Sequence, residues 1–244
     1  MNNRNFLRQK RKRSRRPGIY PDEYSKTKAE NNILILHSCK LLDSYYKPEK
    51  GITALILDGK EMRTTKSLSY LGKKLKKLII VESNESTYYE LLDKTEDYDN
   101  IEIEIHNCLM DDYLNKNEFD HYINKINLVY FDLMENFFSS KASNGSDHAI
   151  NLFLQKSKVN QIIFAATFCL RSIHKSNFEL QKKKILLVLG KIFLGNGFNY
   201  EQLNYNEKMR YKGQKANNKA LMFVLYKLTK DKDENENIYD NEDI

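Results

Sequence analysis

The sequence predicts an α/β fold: a doubly wound, Rossmann-like, seven-stranded, mostly parallel sheet that ends in a C-terminal antiparallel β-hairpin. Three observations carry this expectation. Short apolar runs alternate with helix-periodic segments from residue 52 to residue 194, the pattern of a parallel sheet with helices on both faces. The runs over 52–57 and 161–168 are almost continuously apolar, as strands covered on both sides must be. The last two runs, 198–203 and 220–228, are joined by a polar loop with no helix between them, which reads as an antiparallel pair.

Taken in order, Glu30 to Tyr46 reads as a helix ahead of the first strand. It sets Ile33, Ile35, Leu36, Cys39, Leu41 and Leu42 near one face, and Pro48 ends it. A strand over 52–58 leads to a helix over 64–72 that Gly72 closes. A strand over 77–82 leads to a helix over 85–94. In the strand over 101–106, Ile101, Ile103 and Ile105 alternate with acids, so it belongs near an edge of the sheet; the stretch after it is irregular. A strand over 127–132 precedes a helix over 146–156, and a strand over 161–168 precedes a helix over 177–194.

Charge divides the chain of 244 residues into three parts. Its net charge of +7 is uneven. Residues 1–18 form a basic arm with Arg4, Arg8, Lys10, Arg11, Lys12, Arg13, Arg15 and Arg16 and no acid, closed by Pro17-Gly18. Residues 231–244 form an acidic tail with seven acids against Lys232. Neither end has an apolar period, so both are expected to be disordered, and residues 19–230 are expected to fold as one domain. The arm fits the backbone of a nucleic acid, or a nuclear import signal, or a solubilising tail. Without interleaved aromatics it offers charge but no base stacking.

Cys39, Cys108 and Cys169 are far apart and odd in number, which argues against a disulfide framework or structural zinc. The five histidines lack metal-binding spacing. No run reaches the length of a membrane span, and an intracellular, reducing setting is expected.

The candidate site begins where the first apolar run ends, at Leu57-Asp58-Gly59, ahead of the helix that Thr64-Thr65 opens. The second run ends at Glu82, an acid about 20 residues beyond the first loop, where such sheets hold a ribose. Cofactors of open α/β sheets lie outside the carboxyl ends of the strands. That logic gathers Asp58, Gly59, Glu82, Asn107 and Asp132 around one crevice. Gly59 admits a close approach to the backbone, Thr64 or Thr65 would cap the helix, and Glu82 can accept from two hydroxyls. The plainer alternatives are a turn-forming Asp58 and a Glu82 that serves the next helix N-terminus.

From about 52 to 228 the chain resembles the class I S-adenosylmethionine-dependent methyltransferases, terminal hairpin included. Leu57-Asp58-Gly59, Thr64-Thr65, Asn127 to Asp132 and Ala166-Thr167-Phe168 also resemble methyltransferase-like proteins of large DNA viruses and protists. The resemblance implies S-adenosylmethionine as cofactor, with Asp58, Gly59, Thr64, Thr65, Glu82 and Asn107 around it and Asp132 as the catalytic or substrate-orienting group. It also implies a nucleic-acid substrate once the arm is added. The first loop departs from the family in having one glycine, with Lys60 and Arg63 in place of others. Asp132-Leu133-Met134-Glu135 lacks the Asp/Asn-Pro-Pro-aromatic motif of base-amine methylation, although Phe137-Phe138 follow. A Lys-Asp-Lys-Glu set for ribose methylation would use Asp132 and Glu201, with Lys175 after the fifth strand and no unique first lysine. A lapsed methyltransferase-like protein, nucleic-acid-associated or of a virion, is the alternative.

Overall fold

The computed structural model describes residues 22–47, 50–132, 137–138, 145–170, 178–206 and 221–230. The expected arm, acidic tail and Lys175 lie outside these residues. A helix, α1 (Asp22–Ser38), comes first and two short 3-10 turns follow it. Then β1 (Ile52–Ile56), α2 (Arg63–Leu68), β2 (Leu75–Val81), α3 (Glu85–Thr95), β3 (Glu102–His106) and α4 (Met110–Asn115) alternate. The series continues with β4 (Ile126–Asp132), α5 (Ser146–Lys156), β5 (Gln161–Cys169) and α6 (Phe178–Gly195), and closes on β6 (Phe198–Asn206) and β7 (Leu221–Lys230).

The sheet has seven strands in the order β3-β2-β1-β4-β5-β7-β6. β1 to β5 pair in parallel, and β7 is antiparallel to both β5 and β6. Strand alternation sends Leu55, Ile79, Val129, Phe131 and Phe164 into one core with α4, α5 and α6. Ile56, Ile80, Tyr130 and Ala165 point the other way, into a core shared with α1 and α2. β3 is an edge strand, as its alternating acids predict.

Three sequence expectations need correction. The first helix starts eight residues earlier than Glu30 and stops at Ser38. Its buried residues are Asn31, Asn32, Ile35 and Ser38, while Ile33 is half-exposed; polar residues on that face hide the start of the helix from any reading of apolar period. The helix closed by Gly72 is α-helical only to Leu68 and tightens into 3-10 turns, within which Gly72 takes φ +55°. The irregular stretch after β3 holds α4 and a further 3-10 turn.

At the amino end of the sheet, Asn127 staples β1. Its Oδ1 accepts from the Thr53 N–H at 3.1 Å, and its Nδ2 donates to the Ser44 hydroxyl at 2.8 Å and the Gly51 carbonyl at 2.9 Å. The β1–β4 register shifts at Thr53/Ala54, and the buried amide supplies the partners that the ladder drops there.

Candidate active site

Register places the candidate residues. Ile56 lies opposite Ile80 on β2 and Tyr130 on β4. Two residues further along, Asp58 comes level with Glu82 and Asp132. Val81 opposite His106 extends the row to Asn107, and Asp132 pairs with Thr167. Asp58, Glu82, Asp132 and Thr167 therefore share one row at the carboxyl edge, and by strand parity they sit on the face that α1 and α2 cover.

Asp58 is 4% exposed and saturated by its own loop. Its Oδ1 accepts from the Gly59 N–H at 3.0 Å, and its Oδ2 accepts from the Thr65 N–H at 2.8 Å and the Thr65 hydroxyl at 3.0 Å. The Thr64 N–H adds a further bond. Burial pushes the Asp58 carboxyl above its usual range, against the pull of the Lys28 charge and of these donors. The expected cap by Thr64 or Thr65 is thus reversed: Met62 occupies the N-cap of α2 with no side-chain bond, and Asp58 caps from across the loop. Thr65 serves Asp58, and the Thr64 Oγ1 is buried without a hydrogen-bond partner among the described residues.

Met62 holds φ +46° and is 2% exposed. Left-handed backbone is unfavourable for a side chain of this size, and burial of that side chain in the core offsets the strain. Lys60 stays exposed, and its carbonyl accepts from the Lys94 ammonium of α3. A Cβ on Gly59 would meet no atom within 4 Å and its φ is ordinary. Neither backbone conformation nor the described packing of the chain therefore requires glycine there.

Glu82 is half-buried, and its Oε1 accepts from the Asn84 N–H at 2.6 Å. Burial raises its pKa, opposed by the Asn84 and Ser83 N–H groups and reinforced by the Asp58 charge. The carboxylate keeps further acceptor positions, since it has about four lone-pair sites. Asn84 in turn caps α3 through the Thr87 N–H at 3.0 Å. Asn107 is exposed beside Glu82.

The residue that sequence reasoning missed is Lys28. From α1 its ammonium donates to the Asp132 Oδ2 at 2.7 Å, with both side chains about nine-tenths buried, at 11% and 10% exposure. It is also the charge that Asp58 feels most. Nothing in the sequence singles it out among so many lysines. The structure removes Glu201 from the set: β6 runs parallel to β5, and Glu201 pairs with Lys227, which lies level with Ile163. That is four residues below Thr167, or roughly 13 Å at the rise of a strand. Phe137 is 3% exposed and stacks edge-on against Phe168 at 4.9 Å, so it packs into the core and is not available to a base. Among the described residues no cluster of His, Cys, Asp and Glu could hold a metal ion, and no helix is long and apolar enough to cross a membrane.

With this geometry the chain can be set beside solved structures. Magnesium protoporphyrin IX methyltransferase from Synechocystis, crystallised with bound S-adenosylmethionine, matches at TM-score 0.54 and 11% identity, over 86% of this chain and 83% of that one. The fold is the class I methyltransferase fold. The N-methyltransferase NodS from Bradyrhizobium japonicum matches at TM-score 0.50 and 8% identity, over 86% of this chain and 98% of that one. A longer Pyrococcus horikoshii protein is spanned over 58% of its length, at 14% identity and TM-score 0.46. No protein-family model and no curated protein matches the chain.

Proposed function

We propose that this protein is an S-adenosylmethionine-dependent methyltransferase acting on nucleic acid. The observation that carries the reading is the row of Asp58, Glu82 and Asp132 at the tips of β1, β2 and β4, beside a glycine that the chain's own packing does not explain. The residues fit the cofactor, with one role moved. Glu82 has lone pairs left for ribose hydroxyls, and Asn107 stands beside it for the adenine edge. Gly59 leaves its backbone approachable, and the orphaned Thr64 hydroxyl lies on α2 just behind that loop. Asp58 acts at one remove: it shapes the loop and contributes negative potential, without a free lone pair to spare.

Bound cofactor would supply a methyl group on a good leaving group, so alignment of the acceptor can provide much of the rate. Asp132 would orient that acceptor from the tip of β4. The basic arm would bring the nucleic acid in by charge alone. The virus- and protist-like motifs and an intracellular setting belong to the same reading.

Calorimetric titration with S-adenosylmethionine and S-adenosylhomocysteine tests it. We expect a Kd on the order of micromolar, weakened at least tenfold in Glu82→Ala with the fold intact. No binding to wild type would favour the second reading, a lapsed methyltransferase-like nucleic-acid-associated or virion protein. What speaks for that reading is that Asp58 and Asp132 are both already engaged within the chain. Removing residues 1–16 should weaken binding to RNA or DNA and flatten its salt dependence; an unchanged salt slope would remove the arm from the proposal.

A further inference from the structure

We infer that Lys28 is a built-in counter-cation which takes, between the tips of β1 and β4, the place that the positively charged end of the cofactor must enter, so that the first turns of α1 form a latch in competition with cofactor. The inference rests on the cofactor reading above.

Position comes first. α1 ends beside the start of β1, where Ile35, Cys39 and Leu42 join the same core as Ile52. The helix therefore runs back across the sheet, and its opening turns lie at the carboxyl edge. There the Lys28 ammonium meets Asp132 at 2.7 Å, one strand away from Asp58. The edge thus already carries a cation held against its buried carboxylates. S-adenosylmethionine brings an ammonium and a sulfonium, and two cations cannot share one desolvated pair of carboxylates without strong repulsion.

The way α1 is seated makes a latch physically reasonable. Its second half is anchored by apolar side chains: Ile35 is fully buried, Leu34 and Leu36 pack against the same core, and Cys39 just beyond the helix is fully buried too. Residues 26–32 contribute no buried apolar side chain, and Ala29 faces solvent. What they bury is polar, with Asn31 at 1% and Asn32 at 2% exposure, and the Asn32 Oδ1 has no hydrogen-bond partner among the described residues. A buried acceptor without a partner is unfavourable, and so is the orphaned Thr64 hydroxyl on α2, against which α1 packs. These turns are therefore held by polar contacts, those of Thr27 and Asn31 and the ion pair of Lys28 among them. A segment with few apolar contacts opens at low free energy, and a ligand that offers its own cation removes the reason for closure.

Binding measurements on the full-length chain decide this without knowledge of the methyl acceptor. Lys28→Met and the milder Lys28→Gln should bind S-adenosylmethionine about tenfold more tightly than wild type, equal to about 1.4 kcal/mol. The gain should be smaller for S-adenosylhomocysteine, which lacks the sulfonium charge. In wild type, S-adenosylmethionine should speed amide hydrogen exchange over residues 26–32 and leave residues 33–38 unchanged. Equal or weaker binding by two folded Lys28 variants would overturn the latch and leave the cofactor reading standing. Failure of wild type and variants alike to bind would overturn both.

Discussion

Lys28 and Lys77 are both lysines in ion pairs with side chains 11% exposed: Lys28 pairs with Asp132 and its charge also reaches Asp58, whereas Lys77 pairs with two carboxylates. Their surroundings separate them. Lys77 lies on β2 beside the edge strand β3, where Glu102 at 2.7 Å and Glu104 at 2.6 Å are 66% and 28% exposed. Burial alone would lower the Lys77 pKa, but hydrogen bonds to Glu102, Glu104 and Tyr122 outweigh it and the net shift is upward. Lys28 faces carboxylates that water scarcely reaches. Lysine–carboxylate pairing thus yields a surface clamp in one place and a desolvated charge cluster in the other. Only the second has the electrostatics of a site, because charge interactions gain strength as solvent is excluded.

The largest effect that can test this contrast is at Asp58. Asp58→Ala leaves the N–H groups of Thr65 and Gly59 and the Thr65 hydroxyl without their acceptor, and should lower stability by about 3 kcal/mol in urea unfolding. A loss under 1 kcal/mol (on the order of a surface substitution) would mean the loop does not depend on it.

Cutting one partner from each lysine comes next. Asp132→Ala should cost about 2 kcal/mol, less than a fully enclosed pair because the first turns of α1 can fray. Glu102→Ala should cost about 0.5 kcal/mol, since Lys77 retains Glu104 and water screens the rest. Similar losses at both positions would erase the distinction drawn between them.

Met62 probes the loop after β1 at its strained residue. Met62→Ala loses buried area and keeps the positive φ, whereas Met62→Gly loses the same area and relieves it. The glycine variant should be the more stable of the two by about 1 kcal/mol, measured by thermal unfolding; the reverse order would show that the loop conformation is not strained.

The smallest effects are in pH dependence, and they differ in sign. The Asp58 pKa is raised from 3.8, chiefly by burial. Its contribution to stability is therefore greatest below pH 3.8 and declines as pH rises through the folded value. Burial opposes the shift at Glu104, but Lys77 and His106 outweigh it and lower the pKa from 4.5. Its contribution is present above pH 4.5 and is lost as pH falls through the folded value. Carboxyl carbon NMR titration should place the midpoints of Asp58 and Glu82 above, and that of Glu104 below, their ordinary values. An Asp58 midpoint on the low side would show that its hydrogen bonds, not burial, dominate.

Much of the fold was legible because strand and helix periods are written in neighbouring residues. The apolar run from Ile162 to Phe168, the alternation of Ile103 and Ile105 with acids, and the apolar run from Leu221 to Leu228 each announce their element locally. The loop at Asp58 was legible as a place but not as a mechanism: a carboxylate after a strand looks the same whether it awaits a ligand or feeds on its own backbone. Glu201 looked like an element end and lies instead well below the row, because strand direction in the terminal hairpin fixes its height.

What the sequence determined by itself was the order of elements and the row of acids at the strand tips, since both follow from short-range pattern and sheet parity. What only the tertiary structure decided was who neutralises whom. Lys28 and Asp132 are 104 residues apart, and their meeting depends on α1 crossing back over the sheet with a polar buried face that no apolar period reveals. Charge acts through space and is amplified by burial. Neither distance nor burial at this row of carboxylates is encoded in any local stretch of chain.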